Sequence, residues 1–133
     1  MKTRWTSIIA AVLIATPLYA ETPLERGEYL LDKVGMCGDC HTPMVKGIPN
    51  SDKHLKGSTL NMQPIQDVPG WHKIAPDITG GSAVFQRWKD AGMKKFLTTG
   101  LGPGGNPAGP PMPSYRFSPA DADAVIEYLK SLK

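Results

Sequence analysis

Cysteine is scarce: the 133-residue chain holds Cys37 and Cys40 and no other. That excludes a multi-disulfide scaffold. It also excludes a closed four-ligand zinc site, because no second cysteine pair exists and His54 and His72 stand alone. Basic runs are missing too, so nothing in the chain resembles a phosphate-neutralising surface and no nucleic acid partner is expected. Long apolar runs are absent: the one from Ile8 to Leu18 is shorter than the roughly 20 residues that cross a bilayer, and Thr16 and Pro17 interrupt it.

That run reads as something else. Lys2 and Arg4 precede it and the small residue Ala20 follows, which is the pattern of a secretory signal peptide over residues 1–20; the alternative is retention as an uncleaved anchor. Cleavage leaves residues 21–133, enough for one domain, and lowers the formal charge from +3 to +1 by removing Lys2 and Arg4. The expected location is the periplasm.

Regular periodicity is also in short supply. Three segments carry a helical pattern. Residues 23–34 place Leu24, Gly27, Leu31 and Val34 on one face, with Pro23 in the first turn and Gly35 as the stop. A second, from Lys89 to Thr98, has Met93, Phe96 and Leu97 on one side and Gly100 at its C-terminal cap. The third starts at an N-cap, Ser118, followed by Pro119, and spaces Ala122, Val125, Ile126, Leu129 and Leu132 helically. Between the first two lies the proline-punctuated stretch 42–88, and residues 100–113, "GLGPGGNPAGPPMP", are dominated by glycine and proline. Three short helices cannot build a core for so much loop, whereas a large flat apolar cofactor can.

The residues "CGDCH" at 37–41 fit such a cofactor. Two thiols separated by two residues reach two vinyl groups on one porphyrin edge, and the adjacent His41 swings beneath the iron, which is the pattern of covalent c-type haem. A thiol-redox pair would instead stand at a helix N-terminus after a strand. An inert Cys37–Cys40 disulfide in a cofactor-free binding module is the remaining alternative, and it leaves the undersized core unexplained. His54 and His72 read as solvated loop residues, and a proline carbonyl near Pro43 or Pro49 is expected to accept from the second nitrogen of His41.

The other axial position decides between carrier and catalyst. A thioether there closes the iron to small molecules and raises its potential relative to two histidines; an open position gives a haem enzyme or gas sensor. Met36 and Met44 are tied to the His41 side, and Met93 belongs to a helix core. Met62 and Met112 are left, with Met112 the first choice because Pro111 and Pro113 hold it in extended backbone and a helix begins soon after.

Taken together, "RGEYLLDKVGMCGDCHTP", "APDITGG", "FLTTG" and "PPMPSYRFSPADADAVIEYLKSL" resemble the class I c-type cytochromes, in particular bacterial monohaem domains related to the cytochrome subunits of membrane sugar and alcohol dehydrogenases. The resemblance implies an all-α cytochrome c fold, with three main helices and long loops around one haem. It implies thioethers at Cys37 and Cys40, iron ligation by His41 and Met112, and electron transfer without catalytic residues. It also implies that the first and last helices cross at Gly27, with Tyr29 and Tyr128 packing nearby. The expected partners are a dehydrogenase on one side and a terminal oxidase or another cytochrome on the other. Those dehydrogenase subunits commonly carry three such haem domains and a membrane tether, whereas this sequence has one motif.

Overall fold

A computed structural model describes residues 20–132; the signal-peptide reading therefore lies, apart from Ala20, outside the described residues. The first helix, α1 (Pro23–Tyr29), starts at a reciprocal cap in which Thr22 Oγ1 accepts from the Glu25 N–H at 3.2 Å and the Glu25 carboxylate accepts from the Thr22 N–H at 2.8 Å. It runs into a π-helical turn over Leu30–Val34. The wider turn lets two successive leucines, Leu30 and Leu31, both reach the core. Gly35 closes that turn through its N–H to the Leu30 carbonyl at 2.7 Å, but it stays right-handed; the left-handed residue that redirects the chain is Met36, at φ 48°.

The cysteine motif forms a single turn, α2 (Cys37–His41). Two small antiparallel ribbons follow inside the stretch that has no period of its own. The pair β1 (Met44–Val45) and β2 (Ile48–Pro49) is a local hairpin, while β3 (Ser58–Thr59) and β4 (Ile74–Ala75) pair Ser58 with Ala75 and Thr59 with Ile74. The second ribbon matters for the site, because it folds residues 74–76 back beside the cysteine turn.

Helix α3 (Ala83–Thr99) begins earlier than the sequence pattern suggested, capped by Ser82 Oγ, which accepts from the Phe85 N–H at 3.1 Å. Lys89, at φ 56° and ψ 177°, breaks it into two pieces. The expected helix, Lys89 to Thr98, is the second piece; the first carries its own signal in Ser82 and the apolar trio Val84, Phe85 and Trp88. Gly100 ends the helix in the left-handed conformation expected of a C-terminal cap, at φ 75°. The last helix, α4 (Pro119–Ser131), matches its reading, with Ser118 Oγ accepting from the Asp121 N–H at 3.1 Å.

Helices α1 and α4 cross in close contact. A Cβ at position 27 would overlap the Ala124 carbonyl oxygen and come within 2.9 Å of Tyr128 Cβ, so only glycine permits the approach. Arg26 Nε donates to Asp121 at 2.9 Å across the same junction. Tyr128 is buried there, but Tyr29 is half-exposed beneath the Arg26 guanidinium, so only one of the two tyrosines packs into the crossing. Leu31, Val125 and Leu129 fill the centre with Phe85, Met93 and Leu97. One loop residue joins them: Leu55, wholly buried at φ 59°, is held by its N–H to Thr42 Oγ1 at 3.1 Å and by its carbonyl, which accepts from the Ile78 N–H at 3.1 Å.

Candidate cofactor site

The left-handed turn at Met36 aims α2 away from α1, and the spacing of three sets Cys37 and Cys40 on one face of a single turn. Both are free and half-buried. Burial pushes the Cys37 thiol up to about 11. A thiol-redox pair needs the opposite shift, so the electrostatics of α2 argue against that chemistry.

His41 is almost fully buried, at 5% exposure. Its Nδ1 lies 2.7 Å from the carbonyl oxygen of Pro76. A carbonyl only accepts, so Nδ1 carries the proton and the Nε2 lone pair is left over for a metal. Burial holds the ring below the usual histidine range, and the Pro76 bond only partly offsets this, so the imidazole is neutral as ligation requires. The orienting carbonyl is thus Pro76, not one near Pro43 or Pro49; Pro43 instead accepts from the Asn50 N–H at 2.9 Å, and Pro49 lies in the exposed hairpin.

The reason is the long-range ribbon. Ser58 Oγ donates to the Cys40 carbonyl at 2.7 Å and the Gly57 N–H donates to the His41 carbonyl at 2.7 Å, so β3 is fastened to α2. At Gly57, with φ 84°, a Cβ would come within 2.9 Å of the Ala75 oxygen and closer still to the Asp77 nitrogen. Only glycine lets the segment that follows β4, with Pro76, lie this close to β3 and the imidazole.

Met112 is half-buried in a strap that is pinned at both ends. Upstream, the His72 N–H donates to Pro110 at 2.8 Å, Met112 itself donates to Gly109 at 3.2 Å, and the Pro110–Pro111 peptide is cis. Downstream, the Tyr115 hydroxyl donates to the Gly35 carbonyl at 2.5 Å and the Phe117 N–H donates to Leu97 at 3.0 Å. The strap therefore runs back to the residue beside the cysteine turn. Met62 is exposed on the loop, Met36 and Met44 are exposed near α2, and Met93 is buried in the helical core as the sequence suggested.

His72 is exposed, as read. His54 is not a solvated loop residue: it is half-buried between Asp32, whose Oδ1 is 3.2 Å from Nε2 without hydrogen-bond alignment, and Thr42 Oγ1 at 3.4 Å. A further side chain escaped the sequence reading. The indole N–H of Trp71 is buried and has no partner among the described residues. Large apolar side chains on the same loops, Met62, Ile65 and Ile74, stay exposed.

Two thiols on one face, a neutral imidazole with Nε2 unused, an orphaned indole donor and an uncovered apolar loop surface together fit one kind of group. It is flat and apolar, with two attachment carbons, a metal at its centre and a carboxylate at its rim, and haem has all four features. The comparison with known families agrees. The cytochrome c family model matches residues 24–133, and the chain belongs to that family.

Curated relatives narrow the neighbourhood. The chain is 32% identical over 114 residues to the fructose dehydrogenase cytochrome subunit of Gluconobacter japonicus, covering 80% of this chain and 21% of that one. It is 30% identical over 143 residues to the gluconate 2-dehydrogenase cytochrome c subunit of Pantoea cypripedii, covering 96% of this chain and 31% of that one. The cytochrome c subunit of the quinone-type alcohol dehydrogenase of Gluconobacter oxydans is similar at 28%, covering 85% and 24%. The chain thus spans between a fifth and a third of the length of these relatives. It carries covalent haem c, and Cys37 and Cys40 stand at the spacing of its attachment.

Proposed function

We propose that residues 21–133 form a periplasmic single-electron carrier in which His41 and Met112 would hold the haem iron. The reading rests above all on the Pro76 carbonyl at 2.7 Å from His41 Nδ1, which holds the ring with its proton on Nδ1 and leaves the Nε2 lone pair for a metal. The bound haem supplies reversible one-electron exchange between Fe(II) and Fe(III). The protein's part is to hold the two ligands, exclude water from the Cys37 side and leave one edge near partners. His41 stays neutral through burial, and the pinned strap offers Met112 with little conformational freedom to lose. The buried Trp71 N–H, without a partner among the described residues, would donate to a haem carboxylate.

The relatives' names point to the donor, a sugar or alcohol dehydrogenase; the acceptor we propose is a terminal oxidase or another cytochrome. On this reading the chain is not itself an enzyme. The rival, a haem enzyme or gas sensor with an open or labile sixth position, is separated by one experiment. Carbon monoxide is added to the reduced holoproteins of the parent, Met112→Ala and Met62→Ala. Met112→Ala should keep its haem, bind the gas rapidly and show a lower potential, while Met62→Ala behaves like the parent. Rapid binding by the parent would establish the rival, and a reversal of the two variants would move the ligand to Met62.

A further inference from the structure

We propose that the Tyr115 hydroxyl is a latch that keeps the sixth iron position closed, making Tyr115 a positioning residue for electron transfer; the proposal rests on Met112 being the sixth ligand. Tyr115 stands three residues beyond Met112, with Pro113 stiffening the interval. Its hydroxyl donates to the Gly35 carbonyl at 2.5 Å, across 80 positions of sequence. That carbonyl belongs to the residue that closes the π-helical turn, where carbonyls lack intrahelical donors, so the bond satisfies an orphan acceptor as well as tying down the strap.

The geometry leaves little slack. The hydroxyl oxygen lies 4.0 Å from Cys37 Sγ, and a Cβ on Gly35 would approach that sulfur to 3.3 Å and the tyrosine ring to 3.5 Å. The ring stacks on Phe117 at 5.2 Å between centroids and 10° between planes, and Phe117 is anchored by its N–H to Leu97. The strap is thus joined directly to the segment that carries the first haem thioether. Moving Met112 off the iron requires the strap to swing, and the Tyr115 bond opposes that swing from the Cys37 side. Burial beside Cys37 raises the phenol far above its usual range, so it remains a donor at any working pH.

Tyr115→Phe tests this with one oxygen removed and the stack on Phe117 retained. Two affinities are measured on holoprotein: carbon monoxide for the reduced form and imidazole for the oxidised form. The far-red band of sulfur-to-Fe(III) ligation is recorded alongside. The variant should keep its haem and its band in the absence of added ligand, yet bind both probes roughly three- to tenfold more tightly, the size expected for losing one hydrogen bond. Ser118→Ala is the control, since it weakens the cap of α4 without touching the strap. Unchanged affinities in Tyr115→Phe, or an equal gain in Ser118→Ala, would overturn the latch. Met112→Ala separates the two levels of the argument. Survival of the far-red band there refutes the ligand reading itself, whereas its loss there combined with parental affinities in Tyr115→Phe refutes the latch alone.

Discussion

The helical end of this molecule and its loop side are built on different principles. At the helical end the π-helical turn after α1 packs Leu31 against Val125 and Leu129 of α4 and Phe85 and Leu97 of α3, and the helix starts are capped by Thr22, Ser82 and Ser118. On the loop side, Ile48, Ile65 and Ile74 are at least two-thirds exposed, and order comes from scattered backbone bonds such as Gly57 to His41 and His72 to Pro110. The first region carries its own hydrophobic driving force; the second acquires one when apolar loops close on a covalent cofactor. Leu55 is where the two meet, a loop residue in the helical core two positions before Gly57.

The largest effect expected from breaking this division comes from the attachment pair. Cys37→Ser combined with Cys40→Ser should leave no haem in the intact mass. Limited proteolysis should then cut first within residues 42–82 while α4 stays protected. A haem-free variant as resistant there as the holoprotein would show that the loops fold by themselves. The next effect belongs to the helical end. Gly27→Ala forces a methyl into the Ala124 carbonyl and should cost about 1–3 kcal/mol, the usual range for overpacking. Thermal melting of the holoprotein reads this directly, and an unchanged midpoint would mean that α1 and α4 can separate freely.

The smallest effect is electrostatic. The hydrogen bond from Arg26 holds the Asp121 carboxyl below its usual range, so the pair stabilises the fold above the unfolded-state value near 3.9 and loses that contribution as pH falls through the lower folded-state value. Both groups face water, which keeps the effect slight. Asp121→Asn should therefore lower the melting midpoint a little at neutral pH and not at all once the parent carboxylate is protonated. The haem spectrum should not change at either pH. A spectral change would show that the two regions are more tightly coupled than their packing implies.

Legibility in the sequence follows the same line. Helix α4 announced itself through Ser118, Pro119 and a clean apolar stripe, and α1 did so through Pro23 and Gly27, although Leu24 and Val34 of its expected apolar face are exposed. The first half of α3 went unread because Gly80, Gly81 and the break at Lys89 made Ala83–Trp88 look like more loop. Tyr115 and Trp71 gave no signal at all, since an aromatic residue in a proline-rich stretch looks the same whether its polar tip is free, tied to a distant carbonyl or left for a cofactor. His54 was misread for a related reason: its neighbours Asp32 and Thr42 are remote in the chain and near only after α2 turns.

The sequence alone carries the attachment pattern, because two thiols that reach one porphyrin edge must lie close along the chain, as Cys37 and Cys40 do. It also determined the capped helices, whose hydrogen bonds and apolar stripes are local. Only the tertiary structure decided that Pro76 orients His41, that Leu55 plugs the core and that Tyr115 reaches Gly35. Each joins segments whose separation depends on how aperiodic loops fold back, and loops of glycine, proline and single apolar residues carry no repeating pattern from which that path can be read.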